Sequence, residues 1–413
     1  MVGNCTFIRL LAEENKGAAL QDSIITLRNG ETSSALFPVA PDKFSMVPGS
    51  PFAYWVSDRI RRLFIDLPPF EGDGRTVKQG LATADDFRFV RAWWEVDPGK
   101  IVTGTPETAP DEFRAQTFSG KKWVPFAKGG EYSPYYADVH LVVNWGDDGE
   151  EIKNWICERY PYLKGNWEWV VKNTEYYFRP GLFQTLRAAK LAPHLTPVGC
   201  IFGHNGFQAF CEKSQLMNNL ALLNSEIVEI LYKMQLGRFG YSLYTAGTLQ
   251  KTPVPILKDD SLGSTTRGIW SSLVSLDIFA ENSHRFTAPF CARAKLNSLE
   301  MAKIQWEDIV LHVIQENGKN QSTLNENIRD LYRINQEEIR PILQECTKET
   351  ELELDSQINF INFDSAIIEK EPRALISYLP SYCLGAIFGR WDIRYATGEK
   401  QPPELPDPFA PLP

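Results

Sequence analysis

Between Leu216 and Met234 apolar residues stand at 216, 220, 223, 227, 230, 231 and 234. That spacing places them on one face of a helix and makes the face core, with Gly237 as its stop. Elsewhere the period shortens. In GLATADDFRFVRAWWEV (80–96), Phe87 and Phe89 alternate with Arg88 and lead past Arg91 to Trp93 and Trp94, which predicts a strand with one apolar face. Gly129-Gly130 forces a turn, and the run from His140 to Trp145 predicts a buried strand. In CIFGHNGFQAF (200–210), Gly203 and Gly206 predict a tight turn between two strands, with His204 and Asn205 at its tip. The stretch GYSLYTAGTLQKTPVPIL (240–257) ends in a proline-bounded strand, so the middle of the chain is a small α+β unit.

The two ends differ from this middle. At the start a short helix is predicted near Phe7 to Glu14, followed by a strand-like SIITLR (23–28). Beyond Lys258 the texture is helical. Asn297-x-x-Glu300 and Thr323-x-x-Glu326 each precede apolar residues at helical spacing, a capping-box start, and a third helix begins near Asn335 with Glu338 and bends at Pro341. The acidic KETELELDSQ (348–357) separates these helices from LISYLPSYCLGAIFGRWDIRYATG (375–398). The final QPPELPDPFAPLP is extended, because prolines recur every few residues.

A chain of 413 residues exceeds one ordinary core and predicts two or three packed units. Seven cysteines, odd in number and never in a C-x-x-C pair, fit reduced thiols in a cytoplasm. The N-terminus has no apolar signal core and no run of about 18 apolar residues occurs, so neither secretion nor a membrane partner is expected. The net charge of -9 is unevenly spread: -5 over residues 1–163, +4 over 164–255 and -8 over 256–413. The sign of the middle suits an approach to phosphates.

Candidate chemistry is sparse. The five histidines include no pair at metal-ligand spacing, so no metal site is predicted, and no phosphate loop or nucleophile elbow occurs. Pro68-Pro69-Phe70 and Phe70-x-Gly72-x-Gly74 imitate two methyltransferase motifs. Leu67 stands where an amine-gripping side chain is needed, and the two motifs would have to share Phe70, so the stretch reads as a proline-glycine loop and no catalytic residue is assigned. Arginines suit phosphates or guanine edges, lysines suit phosphates, and glutamine suits adenine. On that ground Arg88, Arg91, Lys122, Lys128, Arg179, Gln184, Arg187, Lys190, His204 and Asn205 are candidate DNA contacts. Lys121, Lys122 and Lys128 also interleave with Trp123, Phe126, Tyr132, Tyr135 and Tyr136, as in surfaces that stack nucleotides.

The blocks GLATADDFRFVRAWWEV, KKWVPFAKGGEYSPYYADVHLVVNWGDDGEEIK, YYFRPGL, PVGCIFGHNGFQAF, LALLNS, LGAIFGRWDIR and DPFAPLP, taken in series, resemble the C-terminal half of the PglX-type adenine-specific DNA methyltransferases of BREX phage-defence systems. Those enzymes are similar to fused type IIG restriction-modification enzymes. The resemblance implies an α+β protein with a mixed-sheet target-recognition domain, a helical spacer and an extended C-terminal tail. It implies a connector to a catalytic domain over 1–60, a mixed connector sheet over 61–165, target recognition over 166–262, the spacer over 263–350 and a C-terminal segment over 351–413. It further implies double-stranded DNA as ligand and a separate catalytic domain or subunit as partner, with other defence proteins as further partners. S-adenosylmethionine would be bound by that catalytic domain and not by this chain. Trp-rich strands near carboxylates equally describe a sugar-binding protein, and acidic helices with a proline tail describe a scaffold.

Overall fold

Two four-stranded sheets carry the fold, and neither is built from one continuous stretch of chain. The computed structural model describes residues 5–10, 13–130, 132–237, 242–294, 298–344, 372–404 and 407–412. The strands are β1 (Cys5–Ile8), β2 (Leu36–Val39), β3 (Thr76–Lys78), β4 (Val90–Ala92), β5 (Trp123–Ala127), β6 (Leu141–Asn144), β7 (Gly181–Thr185), β8 (Arg187–Ala188), β9 (His194–Thr196), β10 (Ile201–Phe202), β11 (Gly206–Phe210) and β12 (Ser242–Leu243). The first sheet has the order β10-β5-β6-β4 and the second β3-β11-β7-β9. Antiparallel ribbons β1-β2 and β8-β12 complete the set. Strands from either side of residue 165 therefore share both large sheets. Helices and mixed sheets together make the chain α+β.

The first sheet encloses an aromatic core. Phe89, Phe126, Trp145, Tyr177, Phe178 and Phe202 are fully buried there, together with Val124, Val143 and Ile201. The helices Pro110–Thr117 and Gly146–Arg159 pack against that core through Phe113, Ile152 and Ile156. The second sheet is backed by Leu216–Leu223 and Glu226–Leu236, whose apolar stripe is core as its spacing predicts. The stripe belongs to two helices. Asn224 caps the first, and the Ser225 hydroxyl accepts from Val228 N to start the second, so the chain turns while the stripe continues. Gly237, at φ 68°, ends it.

Among the described residues beyond 262 the chain is mainly helical. Gly263–Asp277 and the 34-residue helix Leu299–Tyr332 bury Trp270, Leu324, Ile328 and Tyr332 in the second core, while Trp306, Val310 and Val313 form a satellite with Leu276 and Phe290. Thr323 does not begin a helix. Its hydroxyl donates to the Lys319 carbonyl one turn back, so the side chain serves the helix it sits in. The long helix is capped by Ser298, which accepts from Met301 N; Asn297 lies outside the described residues. The box at Asn335 does form, its side chain accepting from Glu338 N at 2.9 Å while Glu338 accepts from Asn335 N at 2.9 Å, and it opens a helix over 336–344. The acidic segment 348–357 lies outside the described residues. In the described part of the proline tail, Phe409 and Leu412 are buried.

Three local readings of the sequence change. At the N-terminus, Phe7 is in β1 and stacks on Tyr54 at 4.7 Å, while SIITLR completes the helix Lys16–Arg28, started by Asn15. In 80–96, Asp85 caps a helical turn over Asp86–Phe89, so only three residues remain for β4. The cap takes Phe87 out of the alternation and leaves it almost wholly exposed. Downstream, Ala246–Lys251 is a helix, and the proline-bounded segment after it makes only a bridge from Pro253 to Pro69. Pro residues lack the N–H that a longer ladder would need.

Candidate nucleic-acid interface

The two sheets meet at the ends of β5, β7 and β10. β10 runs parallel to β5, with Ile201 opposite Phe126 and Phe202 opposite Ala127. The next residues, Gly203 to Asn205, carry the chain across to β11 in the other sheet, where Gly206 faces Thr185 of β7. They do not close a hairpin, because β10 and β11 are not paired. The crossing is pinned by its backbone: Gly203 N donates to the Ala127 carbonyl at 2.8 Å, His204 N to Leu81 at 2.9 Å, and Leu186 N to the Asn205 carbonyl at 2.8 Å. Gly206 is needed for close approach. A Cβ there would lie 2.0 Å from the Gln184 carbonyl, so Gly206→Ala must push β11 from β7. We expect a loss of about 1 to 3 kcal/mol or more from such overpacking, read as a lowered thermal midpoint; an unchanged midpoint would show that the strands yield without cost.

This junction collects Lys128, His204, Asn205, Arg187 and Lys190. Lys128 follows β5 and forms an ion pair with Asp86, to which the Thr83 hydroxyl also donates at 2.5 Å. Burial works against that carboxylate, but Lys128 and Thr83 outweigh it and hold Asp86 below its usual range. His204 and Asn205 are half-buried, and the His204 ring lies with Nδ1 3.3 Å from the Leu81 carbonyl. Arg187, in β8, and Lys190, just beyond it, are exposed. Neither makes an ion pair with a described residue.

The segment that carries Arg187 and Lys190 is held from beneath. Lys233 Nζ donates to the Ala189 carbonyl at 3.2 Å and pairs with Glu229 at 2.8 Å. Glu229 accepts from Leu191 N at 2.7 Å and from the Tyr244 hydroxyl at 3.0 Å. Gln184 belongs to the same support: its Oε1 accepts from Ala192 N at 2.7 Å and its Nε2 donates to the Thr185 carbonyl at 2.9 Å. The side chain is 1% exposed, so Gln184 staples the segment and does not face the surface. Sequence reasoning passed over Glu229 and Lys233, although their i, i+4 spacing inside an apolar stripe was the available signal.

Four other candidates lie elsewhere. Arg88 pairs with Glu151 at 3.0 Å and stacks over Trp155. Arg91 donates to the Phe87 and Val90 carbonyls from β4, at the far edge of the first sheet from β10 and roughly 14 Å away by strand spacing. Lys122 and Lys128 flank β5 at opposite ends, and Arg179 and Arg187 flank β7 likewise, so each pair is set apart by a five-residue strand roughly 17 Å long. Tyr135 and Tyr136 are buried, so the aromatic interleaving after Lys121 is largely core.

A second polar cluster, which spacing gave no means to find, joins the first sheet to the helical part. Asp138, buried beside β6, accepts from His284 N and lies 3.1 Å from His284 Nδ1, 3.3 Å from His140 Nδ1 and 3.9 Å from Arg285. Trp93 stacks on His284 at 4.8 Å, and Tyr136 donates to Asp277 at 2.8 Å. Burial alone would raise the Asp138 carboxyl, yet the two imidazoles hold it far below the usual range, while Asp138 raises His140. Among the described residues no group of three or more His, Cys, Asp or Glu is arranged to hold a metal ion.

The methyltransferase-like loop is structural. Phe70 is fully buried, its N–H donates to the Thr252 carbonyl at 2.8 Å, and Gly72 to Arg75 form a closed turn. A buried ring cannot receive a base, and a closed turn offers no cradle to a methyl donor. The residues therefore do not fit S-adenosylmethionine, and no methyl-transfer step is assigned to them. No helix among the described residues is long and apolar enough to cross a membrane.

No family model matches the chain. It is 25% identical over 384 residues to the adenine-specific methyltransferase PglX of Lacticaseibacillus casei (strain Zhang), a match covering 90% of this chain and 29% of that protein. It is 26% identical over 216 residues to the adenine-specific methyltransferase BrxX of Escherichia coli O9:H4 (strain HS), covering 51% of this chain and 15% of that protein. The chain thus spans less than a third of the length of these curated relatives. The match to PglX runs along nearly all of this chain, which is thus similar to the PglX-type adenine-specific methyltransferases.

Proposed function

We propose that this chain reads DNA for an adenine-specific methyltransferase of a BREX-type defence system, acting in the cytoplasm. The observation that carries the reading is the sheet junction, where the Gly203–Asn205 crossing is bonded to Leu186 and the segment that follows presents Arg187 and Lys190 exposed, with no ion pair to a described residue. An uncompensated pair of cations on a rigid, tethered segment is suited to phosphates, and the half-buried amide and imidazole beside it suit base edges. Methyl transfer then belongs to a catalytic domain or subunit that binds S-adenosylmethionine, and the adenine must leave the duplex to reach it. Other defence proteins are further partners on this reading.

The test is retention of duplex DNA as salt is varied. Replacing Arg187 and Lys190 together by alanine is expected to weaken binding to all sequences and to lower the slope of log affinity against log salt by about 2, one for each released counterion. Both side chains are exposed, so folding is preserved. An unchanged affinity and slope would remove the junction as the DNA-binding edge.

A further inference from the structure

At the opposite end of β7 from Arg187 a cleft of about 670 Å³ opens between the turn at Gly74–Thr76, the loop over 106–110, the Tyr176–Pro180 corner and the segment after β11. Its size is that of a small-molecule site. One wall is aromatic: Tyr176 and Phe210 lie 5.0 Å apart at 42°, and Phe409 of the proline tail also lines the cleft. Cations meet this wall. Arg179 lies 5.2 Å over the Tyr176 ring, and Lys213 lies 5.4 Å from the Phe409 ring. Arg179 is exposed and makes no ion pair with a described residue.

The deepest charge is Arg75, 7% exposed. Its guanidinium donates to the carbonyls of Val254, Pro255 and Pro69, and its Nε has no partner. Carbonyls satisfy N–H groups without cancelling a full charge, and no described carboxylate pairs with it. The acids in the cleft, Glu107 and Glu212, are exposed at its rim. The cleft therefore joins an apolar, ring-lined wall to a positive floor.

We propose that this cleft seats a single nucleotide, its base against Tyr176, Phe210 and Phe409 and its phosphate between Arg179 and Lys213 over Arg75. A planar ring bearing an anion is the ligand that such walls recognise, since aromatic and guanidinium faces stack bases while cations take the phosphate. The choice of a nucleotide among planar anions rests on the DNA-recognition reading. The same chemistry has two sources, a free nucleotide and one residue of a single strand.

Calorimetric titration of the full chain with deoxyadenosine 5′-monophosphate, a short single-stranded oligonucleotide and inorganic phosphate separates these sources. We expect saturable binding of the oligonucleotide, the free nucleotide or both at one site, with inorganic phosphate much weaker. Replacing Arg179 and Lys213 together by alanine should weaken that binding about tenfold or more, with an unchanged thermal midpoint because both side chains are exposed. Phe409→Ala should weaken base-bearing probes and leave phosphate unaffected. Binding of neither nucleotide probe, equal binding of phosphate, or indifference to the double variant would overturn the cleft assignment. Duplex retention measured on the same preparations keeps the two readings apart. If the duplex is retained while the nucleotide probes fail, the cleft assignment falls alone; if the nucleotide binds while the duplex is not retained, the junction reading falls and the cleft stands.

Discussion

Glu229→Ala is expected to lower the free energy of unfolding by about 3 to 5 kcal/mol, the cost of removing one partner from a buried ion pair. Glu229 and Lys233 sit one turn apart on Glu226–Leu236, with side chains 10% and 1% exposed. The carboxylate also takes the N–H of Leu191 and the Tyr244 hydroxyl, so alanine strips a buried ammonium of its carboxylate and leaves two further donors without their acceptor. Glutamine at this position keeps shape and hydrogen-bonding capacity, and should restore part of the loss. The substitution has a second readout. The segment Arg187–Lys190 rests on this pair, so if it reads DNA as we propose, DNA retention should fall in Glu229→Ala even under conditions where the protein remains folded. Urea unfolding checks the first effect, and a loss below about 1 kcal/mol would mean that the pair is no better than a surface one.

Asp138→Ala is expected to cost a similar amount, about 3 to 5 kcal/mol, for the same reason at a different seam. Here the dependence on pH supplies the sharper test. The folded carboxyl is held far below its ordinary value, so its contribution is present above about pH 4 and is lost as the pH falls through the lower folded value. His140 is raised by Asp138, so its contribution is complete below about pH 6.5 and is lost as the pH rises through the raised folded value. The gap between the parent and Asp138→Asn should therefore be wider at pH 5 than at pH 8, as read from denaturant midpoints. A gap that does not change with pH would show that Asp138 acts as a hydrogen-bond acceptor alone.

These two clusters also mark where the sequence stopped being readable. The apolar stripe from Leu216 to Met234, its stop at Gly237, the strand at Leu141–Asn144 and the box at Asn335 were all legible, because each rests on local periodicity or on a residue type with a local role. The break at Asn224–Ser225 was not, since a stripe continues unchanged across two helices that share one core. Five of the ten candidate contacts meet at the sheet junction, and their meeting depends on strand pairings between residues far apart in the chain. Residue chemistry proposed Gln184 as an adenine reader; only the pairing of β7 and β11 shows that its amide turns inward. The Asp138 cluster unites positions 93, 138, 140, 284 and 285, and no spacing rule reaches that far.

The crossing at Gly203–Asn205 bears on how the protein is made. β3 waits for β11 before it has a neighbour in its sheet, and β5 waits for β10 to complete its own. During synthesis at about 5 to 20 residues per second, roughly 6 to 25 s separate the emergence of β3 from that of its partner. Through that interval β3 has no strand beside it, and one edge of β5 presents unpaired backbone N–H and C=O groups. A nascent chain that pauses before residue 210 is thus the form most exposed to aggregation and most in need of a chaperone.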